Sequence, residues 1–321
     1  MEFRTQVPVQ KQDTNLIDYM SKVLLTGSCF SENIGDKLSY FKFQSQVNPF
    51  GILFHPKAIE TFIDRVINQK FYSEDELVFQ NDLYHCFDAH SCLSNPNKED
   101  LLSDLNSILT STFEQIHTTT HVILTLGTAW VYEYKETEKE VANCHKIPQR
   151  EFNKKLLSVA EIRNSLLNIE KLIRLVNSKI KIIYTVSPVR HLKDGFVQNQ
   201  QSKSHLLTAI HQFLSQKLAI NNLKSSYFPS YEIMMDELRD YRFYAADMVH
   251  PNQVAVDYIW KRFVEAWVSE KSLHTMKAVE VIQKGLAHKP FNPNSEQHQK
   301  FIEQLDIKKE NLIKDFPFMQ F

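Results

Sequence analysis

Glycine is scarce in this chain, with six in 321 residues. A glycine that ends an apolar run is therefore informative, because it marks a place where the backbone must turn or approach another segment closely. Cysteine is scarce as well. Four thiols, at positions 29, 86, 92 and 144, do not make a disulfide framework in a chain of this length, and a reducing compartment suits them. No apolar stretch approaches the ~20 residues of a membrane helix. The opening Met1-Glu2-Phe3-Arg4-Thr5-Gln6-Val7-Pro8 lacks the apolar core of a signal peptide, so a cytoplasmic protein that does not enter a membrane is expected. Charge of either sign is not in surplus. A formal net charge of −1 gives no reason to expect nucleic acid or an anionic lipid surface as partner. Internal repeats and low-complexity tracts are missing too.

What the chain does contain is a 43% apolar complement laid out as strands and helices in alternation. Val23-Leu24-Leu25, His121-Val122-Ile123-Leu124-Thr125-Leu126 and the run 180–186 are continuous apolar stretches, the first two closed by Gly27 and Gly127. Such runs suit strands covered on both faces. A short fourth strand is expected at Ser226-Tyr227-Phe228-Pro229. Between them, amphipathic spacing predicts helices from Ser31 to about Tyr40, from Pro56 through Val66, from Lys98 to His117, from Ser158 to Ser178, over roughly 196–221, and from Pro251 to about Val268. The fold class that follows is α/β, a three-layer doubly wound parallel sheet with a C-terminal helical extension. The expected division is an irregular arm over 1–20, an α/β domain over 21–268 with insertions near 71–100 and 131–157, and a helical extension over 269–321. That extension is an appendage or an element of a homodimer.

Chemistry gathers at two stretches. Leu24-Leu25-Thr26-Gly27-Ser28-Cys29-Phe30-Ser31 has the pattern of a strand, a sharp turn and a helix with Ser31 as N-cap. The turn lifts Cys29 above the carboxyl end of its strand, where open α/β sheets bind ligands. There the positive end of the helix favours a nucleophilic thiolate. The plain alternative is a buried cysteine packing as a small hydrophobe. The second stretch is Asp247-Met248-Val249-His250-Pro251-Asn252. An Asp three residues before a His can fix the imidazole tautomer, and the His can then serve a nucleophile. Taken alone, Asp-x-x-His is equally a capped helix start.

Together the two stretches resemble the SGNH (GDSL-type) hydrolase superfamily. Its nucleophile lies in Gly-Asp-Ser near the N-terminus, matched here by Gly27-Ser28-Cys29, and its Asp-x-x-His lies near the C-terminus. More closely, the chain is identified as a member of the GSCFA-domain family, a bacterial branch named for Gly-Ser-Cys-Phe. Supporting stretches are Asn48-Pro49-Phe50-Gly51, Leu126-Gly127-Thr128-Ala129-Trp130, Ala142-Asn143-Cys144-His145-Lys146-Ile147-Pro148, Thr185-Val186-Ser187-Pro188-Val189-Arg190, and Arg242-Phe243-Tyr244-Ala245-Ala246-Asp247-Met248-Val249-His250-Pro251. The resemblance spans roughly 20–265. It implies a flavodoxin-like fold and acyl-ester chemistry with Cys29 as nucleophile, Ser28 as fallback, His250 as base and Asp247 as its orienter. It also implies an oxyanion site using the backbone N–H groups of Cys29 and Gly51. The superfamily's third block carries Gly-x-Asn, whose Asn donates to the oxyanion. Here it is Gly127-Thr128-Ala129, and Ala129 has no donor. Thr128 and Asn48 are the candidate replacements.

Other residues carry further candidate roles. Arg190 ends a strand beside the expected pocket and suits an anionic group; its alternative is a surface ion pair. Ser202-Lys203, opening the next helix region, is a candidate for positioning substrate. His55 before Pro56 suits a helix cap. His85, Cys86, His90, Cys92 and Cys144-His145 match no zinc-ligand spacing, so no metal is expected. No cofactor is expected either. The substrate class is a small or carbohydrate ester, handled by an esterase or by an O-acyltransferase. A non-catalytic module binding a glycan or partner is the reading from another class.

Overall fold

The computed structural model describes residues 5–219 and 225–321. Its centre is a five-stranded, wholly parallel sheet. The strands are β1 (Lys22–Gly27), β2 (Gln44–Val47), β5 (His121–Leu126), β9 (Lys181–Val186) and β10 (Ser225–Tyr227), in the spatial order β10-β9-β5-β1-β2. Counted within this sheet alone, the order is 2-1-3-4-5, the flavodoxin-like doubly wound arrangement. β5 and β9 are buried along their whole length, and β1 from its second residue.

Alternation along these strands builds the layers. Leu24, Val122, Leu124, Ile182 and Tyr184 face a core formed with α2 (Pro56–Ile67), α3 (Lys98–Thr118), α4 (Val159–Val176) and α5 (Phe196–Ala219). Val23, Leu25, Ile123 and Ile183 face a second core formed with α1 (Phe30–Tyr40), α7 (Gln253–Trp267) and α8 (Glu270–Ala287). Period-2 side-chain direction thus sorts one set of apolar runs into two helical layers. The insertion near 71–100 is a hairpin of β3 (Leu77–Gln80) and β4 (Leu83–Cys86). Its Asn81 and Asp82 both take positive φ, as a tight two-residue turn requires. The second insertion is a three-stranded antiparallel sheet, β7 (Lys139–Val141), β6 (Trp130–Tyr134) and β8 (Phe152–Leu156), in that spatial order. The arm is tied down where Ile17 bridges Val268, and α8 is followed by α9 (Glu296–Asp315).

Several boundaries differ from the sequence reading. α1 begins at Phe30 with Cys29, not Ser31, as N-cap; Ser31 is buried inside the first turn. α7 begins at Gln253, because Asn252 caps it through the Ala255 N–H, while Pro251 pairs with Tyr244 as an isolated bridge. β2 escaped the apolar-run criterion because Gln44-Ser45-Gln46-Val47 is polar and half-buried at the sheet edge. The helix expected to end near 221 is described only to Ala219, and its last two expected residues lie outside the described residues.

Gly27 is where β1 meets β5. Its φ is +137°, and a Cβ there would sit 2.1 Å from the Thr125 carbonyl oxygen. Neither strain is relieved by a side-chain move, since both belong to backbone. Gly27→Ala is therefore expected to cost on the order of 4 kcal/mol. A thermal melt should show a midpoint lowered by roughly 10 °C or more, or no cooperative transition at all. An unchanged melt would mean that the turn is not held as described.

Candidate functional site

The site is built where β1, β5 and β9 end. After Gly27 the chain turns sharply. The Ser28 N–H donates to Thr125 O (2.9 Å), and Leu53 N–H donates to Gly27 O (2.9 Å). The turn is thus pinned by the neighbouring strand on one side and by the following loop on the other. Ser28 is wholly buried, and its hydroxyl donates to Ser187 Oγ (3.0 Å) just past β9. Cys29 is partly exposed at the N-terminus of α1, its Sγ 3.7 Å from Ser28 Oγ. Exposure therefore separates the two candidate nucleophiles: a substrate carbonyl can approach Cys29, whereas Ser28 is enclosed.

The expectation that the helix terminus lowers the Cys29 thiol pKa does not hold. Burial dominates and pushes the thiol up, with Glu32 adding to the rise. The Ser28 hydroxyl, Lys203 and the residue's own backbone N–H act the other way without reversing it. A thiol in this state needs a base.

Asp247 and His250 form the pair expected of them. Asp247 Oδ2 accepts from His250 Nδ1 (2.6 Å), and Oδ1 accepts the N–H groups of Val249 (2.9 Å) and His250 (3.0 Å). These bonds, the backbone ones foremost, hold the Asp247 carboxyl down to about 2. A carboxylate on Nδ1 fixes the proton there and leaves Nε2 with its lone pair outward. Both side chains are about half exposed. His250 makes no hydrogen bond to Ser28 or Cys29 among the described residues, so the Asp247–His250 pair and the Gly27 turn are not directly linked.

Arg190 is engaged with the loop that follows Tyr244. Its guanidinium donates to Met248 O, its own N–H to Val249 O (3.4 Å), and its plane lies 4.7 Å from the Tyr244 ring centroid. It braces the loop that carries Asp247 and His250. Met248 helps by taking a left-handed φ of 58°.

The expected oxyanion donors are mostly spent. Gly51 N–H donates to Asn48 O (2.7 Å) within its own turn, and a Cβ at Gly51 would meet His90 at 2.4 Å. Gly127 and Thr128 N–H groups both donate to Phe54 O. The Thr128 hydroxyl pairs with Ser202 Oγ (3.0 Å) and accepts from Trp130 N–H. Ser202 also takes the Ala129 N–H (2.7 Å), so it locks the third block from beneath and is too buried to position a substrate. What remains is Asn48. Its Oδ1 accepts from Gly27 N–H (2.9 Å), while its Nδ2 is buried without a partner beside the turn. The Cys29 N–H likewise has no backbone acceptor.

Two further residues belong to the neighbourhood. Lys203 is fully buried, and its Nζ donates to Gly127 O and Ser187 O, both at 2.7 Å. It ties the ends of β5 and β9 together and does not reach solvent. His191 follows Arg190 and had no expected role. Its Nε2 is buried and unpartnered, and both it and Ser28 Cβ lie 3.2 Å from where a Gly127 Cβ would be. Burial, then Lys203, then His250 hold the imidazole neutral, with its pKa near 3. Only its position four residues past Ser187, and so near the end of β9, could have flagged it. The histidines of the insertions are committed elsewhere. His85 bonds Ser94 Oγ and Gln80 O, His145 bonds Cys86 O, and His55 caps α2 while bonding Val141 O. Among the described residues no group of three or more His, Cys, Asp or Glu side chains is arranged to hold a metal ion.

Comparison with protein families covers most of the chain. The GSCFA family matches residues 22–263, and the model described as the C-terminal domain of GSCFA domain proteins matches 279–321. The chain belongs to the GSCFA family. Both informative stretches, at 24–31 and 247–252, fall inside the larger family match. A comparison with curated proteins returns no match. Among solved structures, a carbohydrate esterase family 3 protein from Talaromyces cellulolyticus matches over 80% of this chain and 98% of its own. The identity is 11% and the TM-score 0.36. No helix among the described residues is long and apolar enough to cross a membrane.

Two outcomes test this geometry. Arg190→Ala should free the 245–250 loop. Hydrogen exchange at Val249 and His250 should accelerate at least tenfold while exchange in β5 stays slow; equal protection in both would remove Arg190 as the brace. His191 supplies a pH test. Its folded pKa is depressed, so the unfolded chain binds the extra proton between about 6.5 and 3. Its contribution is complete above the unfolded pKa and is lost as pH falls through that window. His191→Gln should therefore reduce the acid sensitivity of the melt by about one proton between pH 6.5 and 4. An unaltered slope would place His191 in solvent.

Proposed function

We propose that the protein is an SGNH-type acyl-ester enzyme in which Cys29 is the nucleophile, His250 its base and Asp247 the residue that orients His250. The observation that carries the reading is the accessible Cys29 at the head of α1, above three strand ends, beside an Asp247–His250 pair whose Nε2 is free. The family resemblance supplies the same roles.

In the reaction His250 Nε2 takes the thiol proton as Cys29 Sγ attacks the ester carbonyl carbon. The carbonyl π pair moves to oxygen, and the oxyanion is met by the Cys29 N–H and the Asn48 amide. Collapse of the tetrahedral species expels the alkoxide, which His250 protonates. The thioester left on Cys29 is then opened by water, giving a carboxylic acid, or by a sugar hydroxyl, giving a new ester. Asp247 keeps Nδ1 protonated throughout and stabilises the imidazolium. Apo contacts between nucleophile and base often tighten only with substrate, and the loop over 245–250 is the segment that would bring Nε2 to sulfur. The substrate we favour is an acylated carbohydrate or another small ester.

A second reading has its own support. His250 does not touch Cys29, and burial keeps the thiol protonated. A binding module that kept the fold would show both features.

Short p-nitrophenyl esters, with and without a sugar acceptor, decide between them. Cys29→Ala should abolish turnover, and Asp247→Asn should lower it about 10²- to 10⁴-fold with an unchanged melt. The double variant should be little worse than Cys29→Ala, because such groups act as a unit. Ser28→Ala should alter stability more than rate. Turnover that survives Cys29→Ala would remove the proposed nucleophile, and no turnover of any ester by the unaltered protein would favour the binding module.

A further inference from the structure

Lys203 is a buried charge at the site that the acyl mechanism does not use. Its side chain is wholly enclosed in α5, and no carboxylate pairs with it among the described residues. A buried charge without a counter-charge is costly, by several kcal/mol even after relaxation. Two carbonyl acceptors, Gly127 O and Ser187 O, offset part of that cost. The nearest ring, Tyr231, lies 5.7 Å from the ammonium. Two neutral hydrogen-bond donors would close the same strand ends at lower cost. The position also matters. Ser187, whose carbonyl Lys203 holds, receives the Ser28 hydroxyl, and Ser28 contacts the Cys29 sulfur. The ammonium therefore sits directly under the turn that presents the nucleophile.

We infer that Lys203 is a positioning residue for the proposed reaction: its ammonium is the buried counter-charge of the Cys29 thiolate, idle in the resting thiol state and paired once the thiol loses its proton. The inference rests on Cys29 being the nucleophile. The proton leaves Cys29 for His250 Nε2, and Lys203 keeps its own three. Lys203 never touches substrate; it acts through the sulfur.

The electrostatics agree. The charges facing Cys29 are Glu32 from α1, which opposes the thiolate, and Lys203 from α5, which favours it. Facing Lys203 are Cys29 and the neutral His191 ring. Burial pulls Lys203 down to about 7, and Cys29 alone is seen to resist that fall. An opposite charge at short range shifts a titration by roughly one to three units, so its removal is measurable.

The test reads the thiol directly and needs no ester. The rate of Cys29 alkylation by iodoacetamide is followed from pH 6 to 10 with peptide mapping. Lys203→Gln keeps an amide donor but loses the charge. It should raise the Cys29 midpoint by about one unit, so that alkylation at pH 7 is about tenfold slower. Lys203→Arg, which keeps the charge, should restore most of the rate. A merely structural lysine would lower both melts and leave the midpoint in place; an unchanged midpoint in folded Lys203→Gln overturns the inference. If Lys203→Gln does not fold, Lys203→Met, which keeps the side-chain length and loses the charge, is read in the same way, and an unchanged midpoint in folded Lys203→Met overturns the inference. A thiol–lysine coupling without ester turnover would leave the charge pairing standing while the acyl reading failed, so the two failures are distinguishable.

Discussion

The backbone contact between Gly27 and Thr125 is the constraint on which the rest depends. β1 and β5 lie in register to the last residue of β1, with Gly27 opposite Thr125. No side chain fits between them. Because the strands stay paired to that point, the chain must leave the sheet abruptly, and Ser28 N–H returns to Thr125 O as it does so. That single bond sets the direction of α1. It turns Ser28 inward toward β9 and Cys29 outward toward solvent. A turn one residue later would exchange the two side chains, burying the thiol and exposing the hydroxyl.

Around this turn the polar groups follow an uneven pattern. Most are satisfied twice over, as with Ser202, Thr128 and the Phe54 carbonyl, and these hold the loops after β1 and β5 rigidly together. Several buried side-chain atoms have no partner among the described residues: Thr26 Oγ1, Ser31 Oγ, Asn48 Nδ2, Arg190 Nε and His191 Nε2. Buried polar atoms without partners are uncommon and cost about 1–3 kcal/mol each. Asn48 Nδ2 lies beside Gly27 and His191 Nε2 beside Gly127, so part of that cost falls at the ends of β1 and β5. The Asp247–His250 loop is built in the opposite way. It is exposed, held by an Asx-type turn and one arginine, and has little apolar burial of its own. The pinned turn at Cys29 and the exposed Asp247–His250 loop are thus carried by different parts of the fold.

The sheet was legible in the sequence because covered parallel strands are continuous apolar runs, and 22–27, 121–126 and 181–186 have no other reading. The polar edge strand over 44–47 was not, since edge position leaves its side chains half-buried. The positions of Cys29, Asp247 and His250 followed from strand ends and motif spacing. Hydrogen-bond assignments did not. Nothing in Asn48-Pro49-Phe50-Gly51 says that the Gly51 N–H is consumed within its own turn, and nothing in Ser202-Lys203 says that both side chains point into the protein. Arg190 was placed at the right strand end, but its contact with the Met248 carbonyl was not legible, because a backbone carbonyl 58 residues away leaves no trace in local sequence. The pKa of Cys29 was misjudged for a related reason: the helix terminus is visible in sequence, and the burial that outweighs it is not.

The C-terminal helices bear on the same turn from its far side. Met276 and Val279 of α8, and Met319 beyond α9, are buried in the core that α1 and α7 share. Phe316 packs on Tyr19, Lys42 lies over the Phe321 ring, and Gln283 donates to the Tyr40 carbonyl at the end of α1. These contacts all fall at the C-terminus of α1. Cys29 is at its N-terminus, about 16 Å away along an 11-residue helix. The extension therefore anchors α1 at the end opposite Cys29, so that the helix is held by the C-terminal helices at one end and by the Gly27–Thr125 turn at the other.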